Sequence, residues 1–270
     1  MKHAEVPAPI FLKLGGSLLT DKTGFEQIRA DVLSRVASEI AEAKAENPNL
    51  RLVLGHGSGS FGHTHASQHG TRKGVSTAGE WAGFAAVSDS ALRLNRIVVK
   101  ALLDADIAAV SLSPSASVVV NDGKVQYLAI DPLVSALDVG LVPVIHGDVA
   151  FDTVRGGTIL STEEVMGYLV PKLKPQTILL AGETAGVYDN AGEVIPRITP
   201  ENFADIKSAL GGSRGADVTG GMAAKVQDVL DLAVSRPGMQ IQIFGGLEAG
   251  VIKALLCDPK TRSGTVVEAT

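Results

Sequence analysis

The chain has little of what marks the specialised protein classes. A single cysteine, Cys257, stands among 270 residues. It allows no internal disulfide and points to a reducing compartment. Positive charge is not in excess, since 24 Lys and Arg face 29 Asp and Glu for a formal charge of −5. That excludes the clustered basic footprint on which nucleic-acid affinity depends. No apolar run approaches the roughly 18 residues of a membrane helix. The opening Met1-Lys2-His3-Ala4-Glu5-Val6-Pro7 lacks the apolar stretch of a signal peptide. A cytoplasmic protein that binds neither membrane nor nucleic acid is the expectation. There is no Gly-X-Y period, no internal repeat and no linker rich enough in proline or serine to separate domains. Two phosphate-handling signatures are missing as well, the Gly-x-x-x-x-Gly-Lys-[Ser/Thr] loop and the His-Arg-Asp loop of protein kinases.

What the chain does have is glycine, 30 residues where average usage of roughly 7% would give about 19. Hydrophobic residues are 45%, enough at this length for a large core, so the surplus is not low-complexity flexibility. Short apolar runs alternate with helical stripes. Residues 10–14, 50–54, 107–112, 141–145, 177–180 and 239–244 read as strands, and the continuous apolar ones suit a parallel sheet buried on both faces. Ile28, Val32, Leu33, Val36, Ala37 and Ile40 recur at helical spacing, as do Met222, Val226, Val229, Leu230 and Ala233. Thr77 with Glu80, and Ser161 with Glu164, match the pattern of capping boxes, the first expected to open a helix towards Asp104. Residues 118–130 read as a hairpin turning at Asn121-Asp122-Gly123. The order predicts an α/β fold with a mostly parallel sheet and hairpin insertions, in one domain of two lobes.

The glycines gather where strands end. Lys13 lies inside the apolar run Ile-Phe-Leu-Lys-Leu and is followed by Gly15-Gly16-Ser17, with Lys22 on the same loop. A lysine in a buried strand needs an anionic partner, and a Gly-Gly turn lets backbone N–H groups approach an anion. An edge strand with an exposed lysine is the plain alternative. Next comes Gly55-His56-Gly57-Ser58-Gly59-Ser60-Phe61-Gly62-His63. Its Gly57-x-Gly59-x-x-Gly62 matches the dinucleotide fingerprint, with Glu80 at about the expected 20-residue distance. A nicotinamide enzyme would leave Lys13, Lys22 and the later loops unexplained. His65 and His69 could share a helix face, but no cysteine or carboxylate lies nearby to complete a zinc site, so no protein-bound metal is expected. Further loops follow at Ile145-His146-Gly147-Asp148, at Ser161-Thr162-Glu163-Glu164 and at Gly182-Glu183-Thr184-Ala185-Gly186-Val187. A last one spans 211–221 and leads to Lys225 one turn into a helix. Each alone is an ordinary βα turn. Together they set several anion-binding loops at strand ends, where open α/β sheets bind ligands. Three lysines among such loops suit phosphoryl transfer, which needs in-line placement and charge neutralisation. An acceptor that is already an anion is its own nucleophile, so no general base is required.

These residues resemble the amino acid kinase superfamily: Lys-Leu-Gly-Gly-Ser at 13–17, Asp21-Lys22, His-Gly-x-Gly-Ser-Phe-Gly-His at 56–63, Val-Ile-His-Gly-Asp at 144–148 and Asp-Val-Thr-Gly-Gly-Met-x-x-Lys at 217–225. Within it they are similar to the isopentenyl phosphate kinases, from Lys13 to about Gly264. The resemblance implies a three-layer αβα sandwich, an acceptor-binding lobe over about 1–175, a nucleotide-binding lobe over about 176–270, and a homodimer. It implies transfer of the γ-phosphoryl group of ATP, with Mg²⁺, to isopentenyl phosphate. Lys13, Lys22 and Lys225 would neutralise the moving group and Glu163 would orient them. His63 would hold the acceptor phosphate, with Gly57, Ser58, Gly59, Gly147, Asp148 and Thr162 around it. Gly15, Gly16, Ser17, Gly59, Glu183, Thr184, Gly186, Val187 and Gly221, with Lys13 and Lys225, would line the nucleotide site. Three departures stand out: Ser58 interrupts a glycine triplet, Glu163 replaces an aspartate, and 182–186 replaces Thr-Asp-x-Asp-Gly. A kinase of the same fold acting on a small anion such as fosfomycin, or a non-catalytic nucleotide-binding protein on this scaffold, would reuse many of the same residues.

Overall fold

The apolar runs form strands, and eight of the strands form one large sheet. The computed structural model describes residues 7–21, 24–62, 69–210, 221–258 and 260–270. In chain order the first half contains β1 (Ile10–Leu14), α1 (Gly16–Leu19), β2 (Thr20–Asp21), β3 (Gln27–Ile28), α2 (Ala30–Glu46), β4 (Leu52–His56), α3 (Ala78–Asp104), β5 (Ala109–Ser111), α4 (Pro114–Ser117), β6 (Val118–Asn121) and β7 (Lys124–Leu128). Then come α5 (Asp131–Asp138), β8 (Val142–His146), β9 (Asp148–Asp152), β10 (Gly156–Leu160), α6 (Thr162–Leu173), β11 (Thr177–Gly182), β12 (Arg197–Ile198), α7 (Phe203–Leu210), α8 (Gly221–Ser235), β13 (Gln240–Gly245), α9 (Val251–Cys257) and β14 (Thr265–Val267).

The large sheet runs β12-β14-β13-β11-β1-β4-β8-β5. Its neighbours are parallel except for β13 with β14. The carboxyl ends of β1, β4, β8, β11 and β13 therefore share one edge, and the glycine loops follow them. Alternation along β1 sends Leu12 and Leu14 to one core, with Ile40 of α2, Leu94 of α3 and Leu255 of α9. Phe11 faces the other core, with Leu137 of α5, Met166 of α6 and Leu230 of α8. The result is three layers, helix on sheet on helix. Both capping boxes form: Thr77 Oγ1 accepts from Glu80 N and Ser161 Oγ accepts from Glu164 N, while each glutamate accepts from the cap's own N–H.

A second sheet, β10-β9-β6-β7, stands apart from the first. The anticipated hairpin is there, with Asp122 at φ 47° and Gly123 at φ 78°, the left-handed pair of a tight primed turn. Buried Asp152 joins this hairpin to its neighbour. Its carboxylate accepts from Asp122 N, Gly123 N, Val154 N and Arg155 N at 2.7–3.0 Å. Two features differ from the sequence reading. Ile28 belongs to β3, and α2 opens only at Ala30. Residues 148–160 form the β9–β10 hairpin, whose lateral partner β6 is distant in sequence and hidden from local pattern.

Candidate active site

Lys13 lies on the Phe11 face of β1, one residue from its carboxyl end, between Leu180 of β11 and Gly55 of β4. Helix α6 begins on that same side of the sheet. Its second residue, Glu163, places Oε1 2.7 Å from Lys13 Nζ. The lysine side chain is 16% exposed and the glutamate 46%, so the pair stands at the mouth of the sheet edge. Burial pushes the Glu163 carboxyl up, but the charge and hydrogen bond of Lys13, joined by the charge of Lys225, hold it below 4.5. Thr162 anchors the start of the helix, its buried Oγ1 donating to the His56 carbonyl at 2.6 Å. Lys225 sits one turn into α8, which begins at Gly221.

The two glycine loops touch backbone to backbone. A Cβ on Gly16 would stand 2.3 Å from Gly59 N, and one on Gly57 would stand 2.9 Å from Gly16 N. Gly59 adopts φ 50°, the left-handed region that glycine tolerates at no steric cost. Thr20 pins this junction. Its fully buried hydroxyl donates to Gly16 O at 2.8 Å and accepts from Ser60 N at 2.9 Å. Gly15 is the cap of α1, with Ser17 inside that turn, and Gly15 N donates to Ala181 O. Ser58 settles over the turn at 59–62: a Cβ on Gly62 would meet its Oγ at 2.4 Å.

Two histidines end adjacent strands. His56 of β4 and His146 of β8 are in register, with rings stacked at 5.4 Å and 11°. Both are buried. Gly147 follows, and its N–H donates to His56 O at 3.2 Å. Buried Asp148 accepts from Ser115 N at 3.1 Å and from its neighbour Val149 N at 2.8 Å, which ties the 113–117 segment to this edge.

Across β1 lies the loop after β11. Glu183 Oε1 accepts from Arg29 Nη2 at 2.9 Å, linking this loop to the segment between β3 and α2. Thr184 is exposed, whereas Gly186 and Val187 are buried. Val187 belongs to the core and its N–H donates to Thr265 Oγ1, so this pair shapes the loop from beneath.

The amino acid kinase family matches residues 9–245 of this chain. The chain belongs to the amino acid kinase family. The isopentenyl phosphate kinase of Methanocaldococcus jannaschii is 37% identical over 256 residues, 91% of this chain and 94% of that protein. That of Haloferax volcanii is 40% identical over 245 residues, 90% and 94% respectively. A crystal structure of an isopentenyl phosphate kinase superposes with a TM-score of 0.79 at 29% identity, covering 96% of this chain and 99% of that one.

For an amino acid kinase the arrangement joins Lys13, Glu163, Thr162, Gly147, Asp148 and the 15–17 and 57–59 loops at one sheet edge. Lys22, His63 and the 211–220 part of the last glycine motif lie outside the described residues. Local pattern missed Thr20, Arg29, Asn95 and the pairing of His56 with His146. A signal for the pair was present, since both strands end in an apolar run followed by His-Gly. No signal marked Thr20 as the pin between the loops.

Proposed function

We propose that this chain transfers the γ-phosphoryl group of ATP to isopentenyl phosphate, forming isopentenyl diphosphate and ADP. The observation that carries the proposal is Lys13, held by Glu163 at the carboxyl end of a central parallel strand and flanked by two interlocked glycine loops. Similarity to isopentenyl phosphate kinases over about nine-tenths of the chain supports the choice of acceptor. An acceptor phosphate oxygen attacks the γ-phosphorus, and the bond to the β-phosphate oxygen breaks with ADP as leaving group. The acceptor already carries the nucleophilic oxygen, so the protein's task is placement and neutralisation. In this reading Lys13, Lys22 and Lys225 balance the equatorial oxygens. Backbone N–H groups of Ser58, Gly59 and Asp148, with His63, hold the acceptor phosphate, while the Gly57 and Gly147 N–H groups hold the loops to Leu14 O and His56 O. The 15–17 turn, the 183–187 loop and the start of α8 hold the nucleotide.

The prenyl tail needs an apolar neighbourhood. Val75, Phe84, Val87 and Val149 form a separate buried cluster with Ile159 against it. It adjoins Asp148 in sequence, and the His69 ring lies against Gly83, one residue before Phe84. Among the described residues no group of three His, Cys, Asp or Glu could hold a metal ion. Glu163 is engaged by Lys13 and Asp148 by backbone N–H groups, so Mg²⁺ would arrive as part of the nucleotide substrate. No helix among the described residues is long and apolar enough to cross a membrane. A cytoplasmic homodimer, with acceptor and nucleotide lobes dividing near residue 175, completes the proposal.

The test is purified protein with ATP and Mg²⁺ against isopentenyl phosphate, fosfomycin and acetylglutamate in parallel. Turnover with isopentenyl phosphate is expected. Turnover with another acceptor only would overturn the assignment.

A further inference from the structure

His56 and His146 are buried polar side chains that the proposed chemistry does not use. Their environments are nearly the same. His56 Nδ1 lies 3.0 Å from Gly57 O and His146 Nδ1 3.1 Å from Gly147 O. A carbonyl can only accept, so each Nδ1 carries the proton. Each Nε2 must then accept. Asn95 of α3 donates its Nδ2 to His56 Nε2 at 3.1 Å, and Asn95 Oδ1 in turn accepts from Ser111 Oγ at 2.5 Å. Ser113 Oγ stands 3.4 Å from His146 Nε2 and supplies the corresponding proton. The Gly57 and Gly147 carbonyls thus fix the tautomer of the two rings, and Asn95 and Ser113 complement it at Nε2. Burial first, then the neighbouring His146 ring and Lys13, push the His56 pKa down to about 3 against the pull of the Gly57 carbonyl.

The consequence is geometric. In a trans peptide the C=O and the following N–H point in opposite directions. An imidazole holding the Gly57 carbonyl therefore turns the Ser58 N–H away from itself. The ring on β8 does the same for the Asp148 N–H through Gly147. These are the backbone donors assigned above to the acceptor phosphate.

We propose that the stacked His56–His146 pair, each ring in its Nδ1–H tautomer, is a positioning device that aims the backbone donors of the 57–58 and 147–148 peptides at the acceptor phosphate. The inference rests on the proposed function only for the identity of the acceptor. Neither ring touches substrate. Their effect is on acceptor placement, where a displacement of about 1 Å can cost on the order of a hundredfold in rate.

The experiment compares His56→Leu with His56→Asn. Asparagine sets an amide donor where Nδ1–H stood, whereas leucine has none. His56→Leu should raise KM for the acceptor about tenfold or more and lower kcat, with KM for ATP within about twofold, since ground-state and transition-state placement of the acceptor are what it loses. His56→Asn should recover most of that loss. Asn95→Ala, which leaves the ring in place, guards against misfolding of the leucine variant. It should cause an intermediate loss, and long-range ¹H–¹⁵N spectra should still show the Nδ1–H tautomer at His56, since the Gly57 carbonyl remains. The proposal is overturned if unmodified protein shows the Nε2–H tautomer at His56. It is equally overturned if His56→Leu leaves acceptor KM unchanged, or if the asparagine variant is as impaired as the leucine one. Should the unmodified chain fail to phosphorylate isopentenyl phosphate, the assigned function falls separately. The tautomer, and the affinity for inorganic phosphate across the same variants, still decide the positioning role.

Discussion

Replacing Glu163 with glutamine removes the charge that faces Lys13 while preserving shape. Two unit charges about 4 Å apart attract by about 4 kcal/mol at an effective permittivity near 20 and by about 1 kcal/mol in water. Lys13 is 16% exposed and Glu163 46%, so solvent screens the pair and the lower half of that range applies, about 1–2 kcal/mol. If the pair serves to fix Lys13 against the moving phosphoryl group, that energy appears as a kcat lower by about 5- to 30-fold. KM for ATP should not rise, because the substitution removes an anion from beside a polyphosphate. Glu163→Asp keeps the charge one methylene shorter, and its loss should be smaller than that of glutamine. Steady-state kinetics with each substrate varied in turn, beside a thermal melt, separates the cases. Unchanged kcat in Glu163→Gln, or a higher KM for ATP as its main effect, would refute the role assigned to the pair. Because the folded carboxyl is held below 4.5, the pair is fully formed above that pH and is lost as pH falls through the depressed value. No activity limb near neutrality should trace to Glu163.

Gly16→Ala would drive a Cβ to 2.3 Å from Gly59 N, and backbone cannot step aside as a side chain can; turnover should fall about a hundredfold or more, while circular dichroism shows an intact fold. Asp152→Ala strips four backbone N–H groups of their shared acceptor and should cost about 2–4 kcal/mol, seen as a Tm lower by several degrees, with KM values unchanged if the second sheet remains docked. The His56 ring, with its pKa near 3 against an ordinary 6.5, is protonated in the unfolded chain before the folded one, so stability should fall as pH drops below 6.5 by up to about 1.4 kcal/mol per unit. Denaturant midpoints between pH 7 and 5 should show a shallower slope in His56→Asn, and equal slopes would contradict the buried neutral ring.

The sequence was most legible where one residue type answers one local need. Continuous apolar runs became the central strands, and Thr77-x-x-Glu80 and Ser161-x-x-Glu164 became caps with both reciprocal bonds made. Lys13 inside an apolar strand demanded an anion, and Glu163 supplies it. What stayed hidden is non-local. Thr20 is an ordinary threonine until the fold sets it between Gly16 O and Ser60 N. Asn95 looks like a defect in the apolar stripe of α3 until His56 arrives from β4. Arg29, which carries no local signal, reaches Glu183, 154 residues away. Glu39, which reads as one more acidic position in α2, is buried and accepts from Gly250 N and Ile252 N to cap α9 from a distance. Such contacts depend on which strands become neighbours, and local pattern does not carry that information.

The glycine surplus divides in two once the loops are in place. Gly70, Gly140 and Gly192 have positive φ and open space where a Cβ would stand, which is the work of turns. Gly16, Gly57 and Gly59 are different, because a Cβ on any of them would meet another stretch of main chain at 2.9 Å or less, or the Thr20 hydroxyl. These three let the two glycine loops pack main chain against main chain. Ser58, the one residue with a side chain among them, escapes the conflict because its Cβ and Oγ lie over Gly62 and away from the Gly16 contact. In the proposed function, fixed N–H groups of these loops with Lys13 and Lys225 would stabilise charge without a proton-accepting side chain. A phosphate acceptor asks for no more than that, whereas an acceptor with a hydroxyl nucleophile would need a base within about 3 Å of its proton. Among the described residues the carboxylates nearest the edge are already committed, Glu163 to Lys13 and Asp148 to the amides of Ser115 and Val149. The geometry therefore favours an acceptor that arrives as an anion.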